Sequence, residues 1–114
     1  MYYETREKHP KEYLKTRYYI ATFDEIVRVI RKVCETLNYR ILNEDLTRRE
    51  IFVEGDCSIV ITISPFGREQ GIDLNVDTYT FFDFGKGKRR IKEFYAEVAK
   101  HVSYKGVGLH GWTN

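Results

Sequence analysis

The clearest periodic pattern in the chain predicts an α-helix after Thr22. Apolar side chains recur there at helical spacing, at Ile26, Ile30, Val33 and Leu37. Thr22 and Glu25 have the spacing of a capping box, in which each side chain bonds the other residue's backbone amide. Asn38 follows the last apolar residue and suits the left-handed conformation that ends many helices. We therefore expect a helix between Thr22 and Asn38.

Alternation of apolar and polar residues predicts β-strands on both sides of this helix. The alternation is strongest over 57–64, where Cys57, Ile59, Ile61 and Ile63 share one face, and it returns over 72–80. Shorter strands are predicted at 17–21, 39–44 and 50–54. The segment 65–71, with two glycines and a proline, is predicted to be a loop. Alternation of this kind indicates an antiparallel sheet with one buried face.

A second helical stripe predicts a helix from about Arg89 to Val102. Its apolar positions are Ile91, Phe94, Tyr95, Val98 and Val102. The predicted order is β-α-β-β-β-β-α, an α+β fold in which two helices pack on one face of a twisted antiparallel sheet of about five strands. We assign residues 17–102 to a single domain, preceded by an N-terminal arm (1–16) and followed by a glycine-rich tail (103–114).

This order of elements resembles that of the TATA-binding-protein fold and of helix-grip ligand-binding domains. The resemblance lies in element order alone and carries over no functional residue. From the helix-grip comparison comes one hypothesis, an apolar ligand held between the helices and the sheet. Leu37, Ile61, Leu74, Phe94 and Val98 would line such a site.

Composition fits one soluble domain of ordinary size. The chain has 114 residues, of which 42% are hydrophobic and 32% are charged, and its formal net charge is +2. This mild basicity does not by itself indicate nucleic-acid binding. There is neither a signal-peptide pattern nor an apolar run of membrane-spanning length, so we expect a cytoplasmic protein without membrane contact. Cys34 and Cys57 lack metal-ligand spacing and are expected to be buried free thiols.

The segment that links the last strand to the second helix carries the most suggestive chemistry. It begins with aromatic residues and ends in glycines and cations: Gly85, Lys86, Gly87, Lys88, Arg89 and Arg90, with Lys92 beyond. Glycines let backbone amides approach an anion, and a helix N-terminus concentrates unpaired amide donors. One hypothesis is therefore that this basic glycine loop binds a phosphate ligand or nucleic acid. The alternative is a solvated loop.

Other candidate chemistry is weaker. Asp73, Asn75 and Asp77 share one face of a strand, but Thr78 stands where a calcium loop requires glycine. No metalloprotease, nucleophile-elbow or phosphate-loop spacing is present. We therefore expect no metal, no cofactor and no catalytic activity, although the absence of a motif does not exclude an enzyme.

Aromatic residues near both ends suggest contacts with other molecules. Tyr18 and Tyr19 stand in the first predicted strand, and Leu109 and Trp112 stand in the tail; all four are candidate interface residues. Tyrosines interleaved with cations before residue 18 also allow binding of single-stranded nucleic acid. The leading hypothesis is a non-enzymatic interaction module that forms homo-oligomers or binds a protein partner.

Overall fold

The computed structural model describes residues 1–107 as a mixed α+β fold. Two helices and seven strands follow in the order β1 (Tyr2–Glu4), β2 (Arg17–Ile20), α1 (Phe23–Leu37), β3 (Arg40–Asp45), β4 (Glu50–Glu54), β5 (Ser58–Phe66), β6 (Glu69–Asp77), α2 (Lys86–Ala99) and β7 (Ser103–Val107). A short 3-10 turn, Glu12–Leu14, separates β1 from β2.

All seven strands belong to one antiparallel sheet. The spatial order is β3-β4-β5-β6-β2-β7, and β1 pairs with β6 alongside β2. The prediction of an α+β fold with an antiparallel sheet is confirmed, but the strand count of about five and the predicted order are wrong. The two additional strands, β1 and β7, lie in the segments that we assigned to the arm and the tail. With these two strands, the observed order of elements differs from the predicted order that resembles the helix-grip fold.

The apolar face of the sheet packs against both helices. Rows of side chains cross neighbouring strands in register, as where Ile51, Ile61 and Leu74 lie opposite one another. These residues are completely buried, and Ile30 of α1 and Phe94 of α2 join them in the same core cluster. Burial of this apolar surface is the main favourable term in the stability of the fold.

Helix α1 forms as its sequence predicts. The Thr22 hydroxyl accepts the Glu25 amide at 3.1 Å, and the Glu25 carboxylate accepts the Thr22 amide at 3.4 Å, so both bonds of the capping box are present. Asn38 ends the helix in the left-handed conformation with φ of 62°. Local signals therefore fix both ends of this helix.

Several predicted boundaries are wrong. Strand β6 ends at Asp77, so residues 78–80 of the predicted strand 72–80 lie in a loop, and α2 ends at Ala99 rather than Val102. The predicted loop 65–71 is mostly strand, because β5 continues to Phe66 and β6 begins at Glu69. A tight hairpin turn remains, with Gly67 at φ of 63°. Helix α2 begins at Lys86, three residues before the predicted start, because a loop contact described below caps it.

A buried polar junction fills the break between β1 and β2 along β6. The Thr5 amide donates to the Leu74 carbonyl at 3.0 Å, and the Leu74 amide donates to the Thr5 hydroxyl at 2.8 Å. The Tyr95 hydroxyl, from α2, donates to the Ile72 carbonyl at 2.7 Å. The Leu74 amide and the Ile72 carbonyl, which a continuous strand would have paired, are thus satisfied by side chains. The junction ties the N-terminal segment to the sheet.

Candidate aromatic interaction surface

The loop that joins β6 to α2 exposes three phenylalanines. Phe81, Phe82 and Phe84 are 85%, 72% and 90% exposed. We call residues 78–85 the aromatic loop. A single exposed phenylalanine is ordinary on a protein surface, but a contiguous apolar patch marks an interaction site.

A buried carboxylate fixes the backbone of the aromatic loop. Asp83 is 8% exposed, and its Oδ2 accepts the Tyr3 hydroxyl at 2.7 Å and the Thr78 hydroxyl at 3.1 Å. The amides of Gly85 and Gly87 donate to its two oxygens at 3.0 and 3.3 Å. Burial by itself would raise the pKa of Asp83, but these hydrogen bonds outweigh it and hold the pKa below its ordinary value of 3.8. Asp83 therefore stays ionised and holds both ends of the loop.

The ring of Tyr3 fixes the loop from the side of the helix. A Cβ placed on Gly87 would lie 2.0 Å from the Tyr3 ring, so the ring rests directly on the backbone of α2. Burial, followed by the hydrogen bond to Asp83 and the charge of Asp83, raises the pKa of Tyr3 to about 12. The Tyr3 hydroxyl consequently remains a donor to Asp83 throughout the physiological pH range.

Left-handed backbone at two non-glycine residues shapes the loop. Tyr79 has φ of 68° and Phe84 has φ of 54°, a region that most side chains rarely adopt. Such conformations persist where surrounding contacts determine them, and they are concentrated at functional sites. The turn at Phe84 directs the chain into α2 through Gly85, at φ of 80°.

An open, mainly apolar pocket lies beside the loop. Its volume is about 770 Å³, and we call it the aromatic pocket; it is lined by Met1, Tyr2, Asp77, Tyr79, Thr80, Phe81 and Phe82. The pairing of β1 with β6 sets Tyr2 directly opposite Asp77. The rings of Phe81 and Phe82 are nearly perpendicular, at 87°, with centroids 5.0 Å apart.

The exposed aromatic area is of interface size. We define the aromatic surface as Tyr2, Tyr79, Phe81, Phe82 and Phe84 together with Met1; all of these except Phe84 line the aromatic pocket, and Phe84 stands two residues after Phe82 on the same loop. At roughly 200 Å² for a fully exposed aromatic side chain, its five rings present roughly 700 Å² to solvent. The largest apolar patch of a typical monomer is about 300–600 Å². A standard protein interface buries about 800 Å² on each partner.

The glycines and two cations of the predicted anion-binding loop are engaged within the protein. The amides of Gly85 and Gly87 bind the Asp83 carboxylate, as described above. The guanidinium of Arg90 donates to the Asp56 carboxylate at 2.7–3.2 Å, and the Lys86 ammonium donates to the Asp56 carbonyl at 2.6 Å. An internal carboxylate therefore occupies the place where the sequence predicted an external anion.

The remaining cations of that segment also contact protein groups. Arg89 donates to the Phe84 carbonyl at 2.9 Å. The ammonium groups of Lys88 and Lys92 lie 5.1 and 5.6 Å from the ring centroid of Tyr13. The cations therefore lie on different sides of α2: Lys86 and Arg90 face Asp56, whereas Lys88 and Lys92 face Tyr13. The prediction of anion binding itself remains untested.

Of the four residues predicted as an interface, Tyr18 and Tyr19 lie within the described structure, and both are buried. Tyr18 and Tyr19 are 4% and 0% exposed and pack within the sheet. The Tyr19 hydroxyl donates to the Tyr95 carbonyl at 3.3 Å. Leu109 and Trp112 lie outside the described residues. Tyr18 and Tyr19 are therefore packing residues in this fold.

The other predicted sites resolve into packing and surface contacts. Ile61, Leu74, Phe94 and Val98 are fully buried in the core cluster, where the helix-grip hypothesis placed an apolar ligand. Within residues 1–107, His, Cys, Asp and Glu side chains form no group of three placed to hold a metal ion. Asp73, one of the acids considered for a cation, instead accepts the hydroxyls of Thr5 and Thr16 at 2.7 Å each.

Sequence reasoning missed the aromatic loop as a candidate site. The sequence predicts a link over this segment, with candidate chemistry only at its basic end. The available signal was Phe81-Phe82-Asp83-Phe84, an apolar run between a strand and a helix that belongs to neither period. Its exposure follows from the way Asp83 fixes the loop, which combines local bonds to the Gly85 and Gly87 amides with a bond from Tyr3, eighty residues earlier.

Comparison with known proteins places the chain in no family. No protein-family model matches it, and the search of curated proteins finds no relative. In the described part of the chain, neither helix is long and apolar enough to cross a membrane.

Proposed function

We propose that this protein is an interaction module that binds a protein partner, or a second copy of itself, through the aromatic surface. One observation carries the proposal. Phe81, Phe82 and Phe84 are 72–90% exposed on a loop whose backbone is fixed by the buried Asp83 carboxylate.

Two physical arguments support this function. Exposed aromatic rings cost free energy in water, and their removal from water is the dominant favourable term in most protein association. A loop already held in one conformation loses little further entropy when a partner docks. Aromatic side chains are also enriched among the residues that dominate binding energy at interfaces.

The other hypotheses from the sequence receive less support. For the basic glycine loop, the amides and cations described above already have partners within the chain. For an apolar ligand between helices and sheet, the candidate lining residues are packed against one another. We therefore retain the interaction module as the function that the geometry supports best.

The experiment compares the wild-type protein with the double variant F81S/F84S. Sedimentation velocity from micromolar to several hundred micromolar concentration reports self-association, and crosslinking in extract of the source cells reports other partners. We expect association or a defined crosslinked partner for the wild type and its loss in F81S/F84S. The matched controls are F66S and L42S, which remove side chains that are 51% and 53% exposed elsewhere.

Two results would contradict the proposal. One is a wild-type protein that stays monomeric and forms the same crosslinks as F81S/F84S. The other is equal loss of association in the F66S or L42S controls, because general surface hydrophobicity would then explain the binding. Thermal unfolding of each variant establishes that a lost contact does not reflect a lost fold.

A further inference from the structure

We propose that the aromatic pocket binds a lysine side chain of the protein partner, and binds it most tightly when the ammonium group is methylated. This inference rests on the proposed function and names the group that the surface recognises. The pocket combines aromatic rings with a carboxylate, which is the chemistry that suits an alkylated cation.

The rings provide the first part of the argument. Tyr2, Tyr79, Phe81 and Phe82 all line the pocket. The face of an aromatic ring carries partial negative charge and attracts a cation within about 6 Å of its centroid. Because the Phe81 and Phe82 rings are nearly perpendicular, they form two walls that face in different directions. A roughly spherical methylated ammonium has no preferred orientation, so it can meet ring faces that differ in direction.

The charges in the lining provide the second part. The carboxylate of Asp77 accepts the Tyr79 amide at 2.8 Å through Oδ1, which leaves most of its acceptor sites to other donors. The pocket also contains the α-ammonium of Met1, which donates to the Thr78 hydroxyl at 3.1 Å and to the Thr80 carbonyl. This ammonium is therefore bound to the loop itself. The positive charge of the Met1 ammonium and the negative charge of the Asp77 carboxylate offset each other at a distance. The preference for a cation therefore depends mainly on the ring faces.

Methylation should strengthen binding because of solvation. An unmodified lysine ammonium is compact and strongly hydrated, and transfer into an apolar pocket removes much of that hydration. Methyl groups reduce the hydration while the charge remains, so the cation gains the attraction of the rings at a lower desolvation cost. With a volume of about 770 Å³, the pocket has room for a trimethylated ammonium and its alkyl chain.

The test is a titration followed by two-dimensional NMR. The probes are three short peptides that differ at one side chain: lysine, trimethyllysine, and the neutral isostere in which carbon replaces the trimethylated nitrogen. We expect saturable shifts at Tyr2, Asp77 and Tyr79, and a dissociation constant about tenfold lower for trimethyllysine than for the isostere. Equal affinity for these two peptides would overturn the proposal, because shape and hydrophobicity alone would then explain binding.

Variants separate ring electrostatics from hydrophobic contact. F82L keeps an apolar side chain but removes the aromatic face, and we expect it to weaken trimethyllysine binding about fivefold. D77N should weaken it about threefold. F66L is the matched control, because Phe66 is 51% exposed outside the pocket and should leave affinity unchanged. Unchanged affinity in F82L, or an equal loss in F66L, would contradict the assignment.

The outcomes also separate this inference from the proposed function. If the isostere binds as well as trimethyllysine while F81S/F84S still abolishes association, the cation preference fails and the interaction module stands. If no peptide shifts the pocket and no association occurs, both fail. A protein that binds phosphatidylcholine vesicles, and that binds the three peptides with equal affinity, would overturn the inference. The pocket would then be a contact for a lipid surface.

Discussion

Replacement of Gly87 by alanine tests whether the Tyr3 ring holds the aromatic loop against α2. Glycine within a helix is less favourable than alanine by about 0.5–1 kcal/mol, and Gly87 has no positive φ that would oppose the change. Helix propensity alone therefore predicts that G87A stabilises the protein.

The structure predicts the opposite sign. The new Cβ would lie 2.0 Å from one carbon of the Tyr3 ring and 2.4 Å from another, whereas carbon atoms in contact are about 3.5–4.0 Å apart. The ring would have to move by more than an ångström and release its hydrogen bond to Asp83. Overpacking of this kind costs about 1–3 kcal/mol. After subtraction of the propensity gain, the central expectation is that G87A lowers the free energy of unfolding by about 1 kcal/mol, and by no more than about 2.5 kcal/mol.

A double-mutant cycle measures the contact directly. In a Y3A background the space beside Gly87 is empty, so G87A should stabilise that variant by about 0.5–1 kcal/mol. Urea unfolding with an unchanged m-value provides the free energies. In the exposed part of α2, A96G measures the cost of glycine in the same helix and is expected to be about 1 kcal/mol. If G87A stabilises the wild-type background, Tyr3 does not rest on Gly87 and the account of the loop is refuted.

Three further predictions concern the loop, the helix cap and the thiols. D83N should lower the melting temperature at pH 7 by several degrees. Because the pKa of the carboxyl is held below 3.8, the stability that it provides is present above that pH and is lost as pH falls through the folded-state pKa. Thermal melts from pH 7 to 2 should therefore fall more steeply for wild type than for D83N, and parallel curves would contradict this. T22A should lower the free energy of unfolding in urea by about 1 kcal/mol, and no change would mean that the capping box is not formed. Burial raises the pKa of Cys34 to about 12 and raises that of Cys57, so both thiols should resist alkylation by iodoacetamide until urea unfolds the protein; fast alkylation of the native protein would refute their burial.

Local sequence signals determined the parts of this fold that depend on neighbours in the chain. Helix α1 is specified at both ends, by the capping box at Thr22 and by Asn38 in the left-handed conformation. The alternation over 57–64 places the isoleucines of β5 on the buried face, as observed. In both cases the contacts that determine the element join residues one to four positions apart. A pattern in the sequence can therefore indicate them.

Tertiary structure decided whether strands formed in segments that show no regular alternation of apolar and polar residues. Strand β1 has three residues, too few to show alternation, and it forms because the edge of β6 beyond β2 is open to pairing. Strand β7 likewise forms against β2, across more than eighty residues of chain. Whether a segment pairs there depends on which backbone donors and acceptors the rest of the sheet leaves unpaired.

The candidate site shows the same division. The sequence predicts a candidate binding site in the link between β6 and α2, which begins with aromatic residues and ends with basic ones. The bonds from the Gly85 and Gly87 amides to Asp83 are local, but no local pattern indicates that Tyr3, eighty residues earlier, supports that carboxylate. This long-range contact fixes the loop that exposes the phenylalanines, and a second one, from Asp56, engages Lys86 and Arg90. Residue types thus determined what chemistry was available, and packing between distant segments decided which side chains the surface presents.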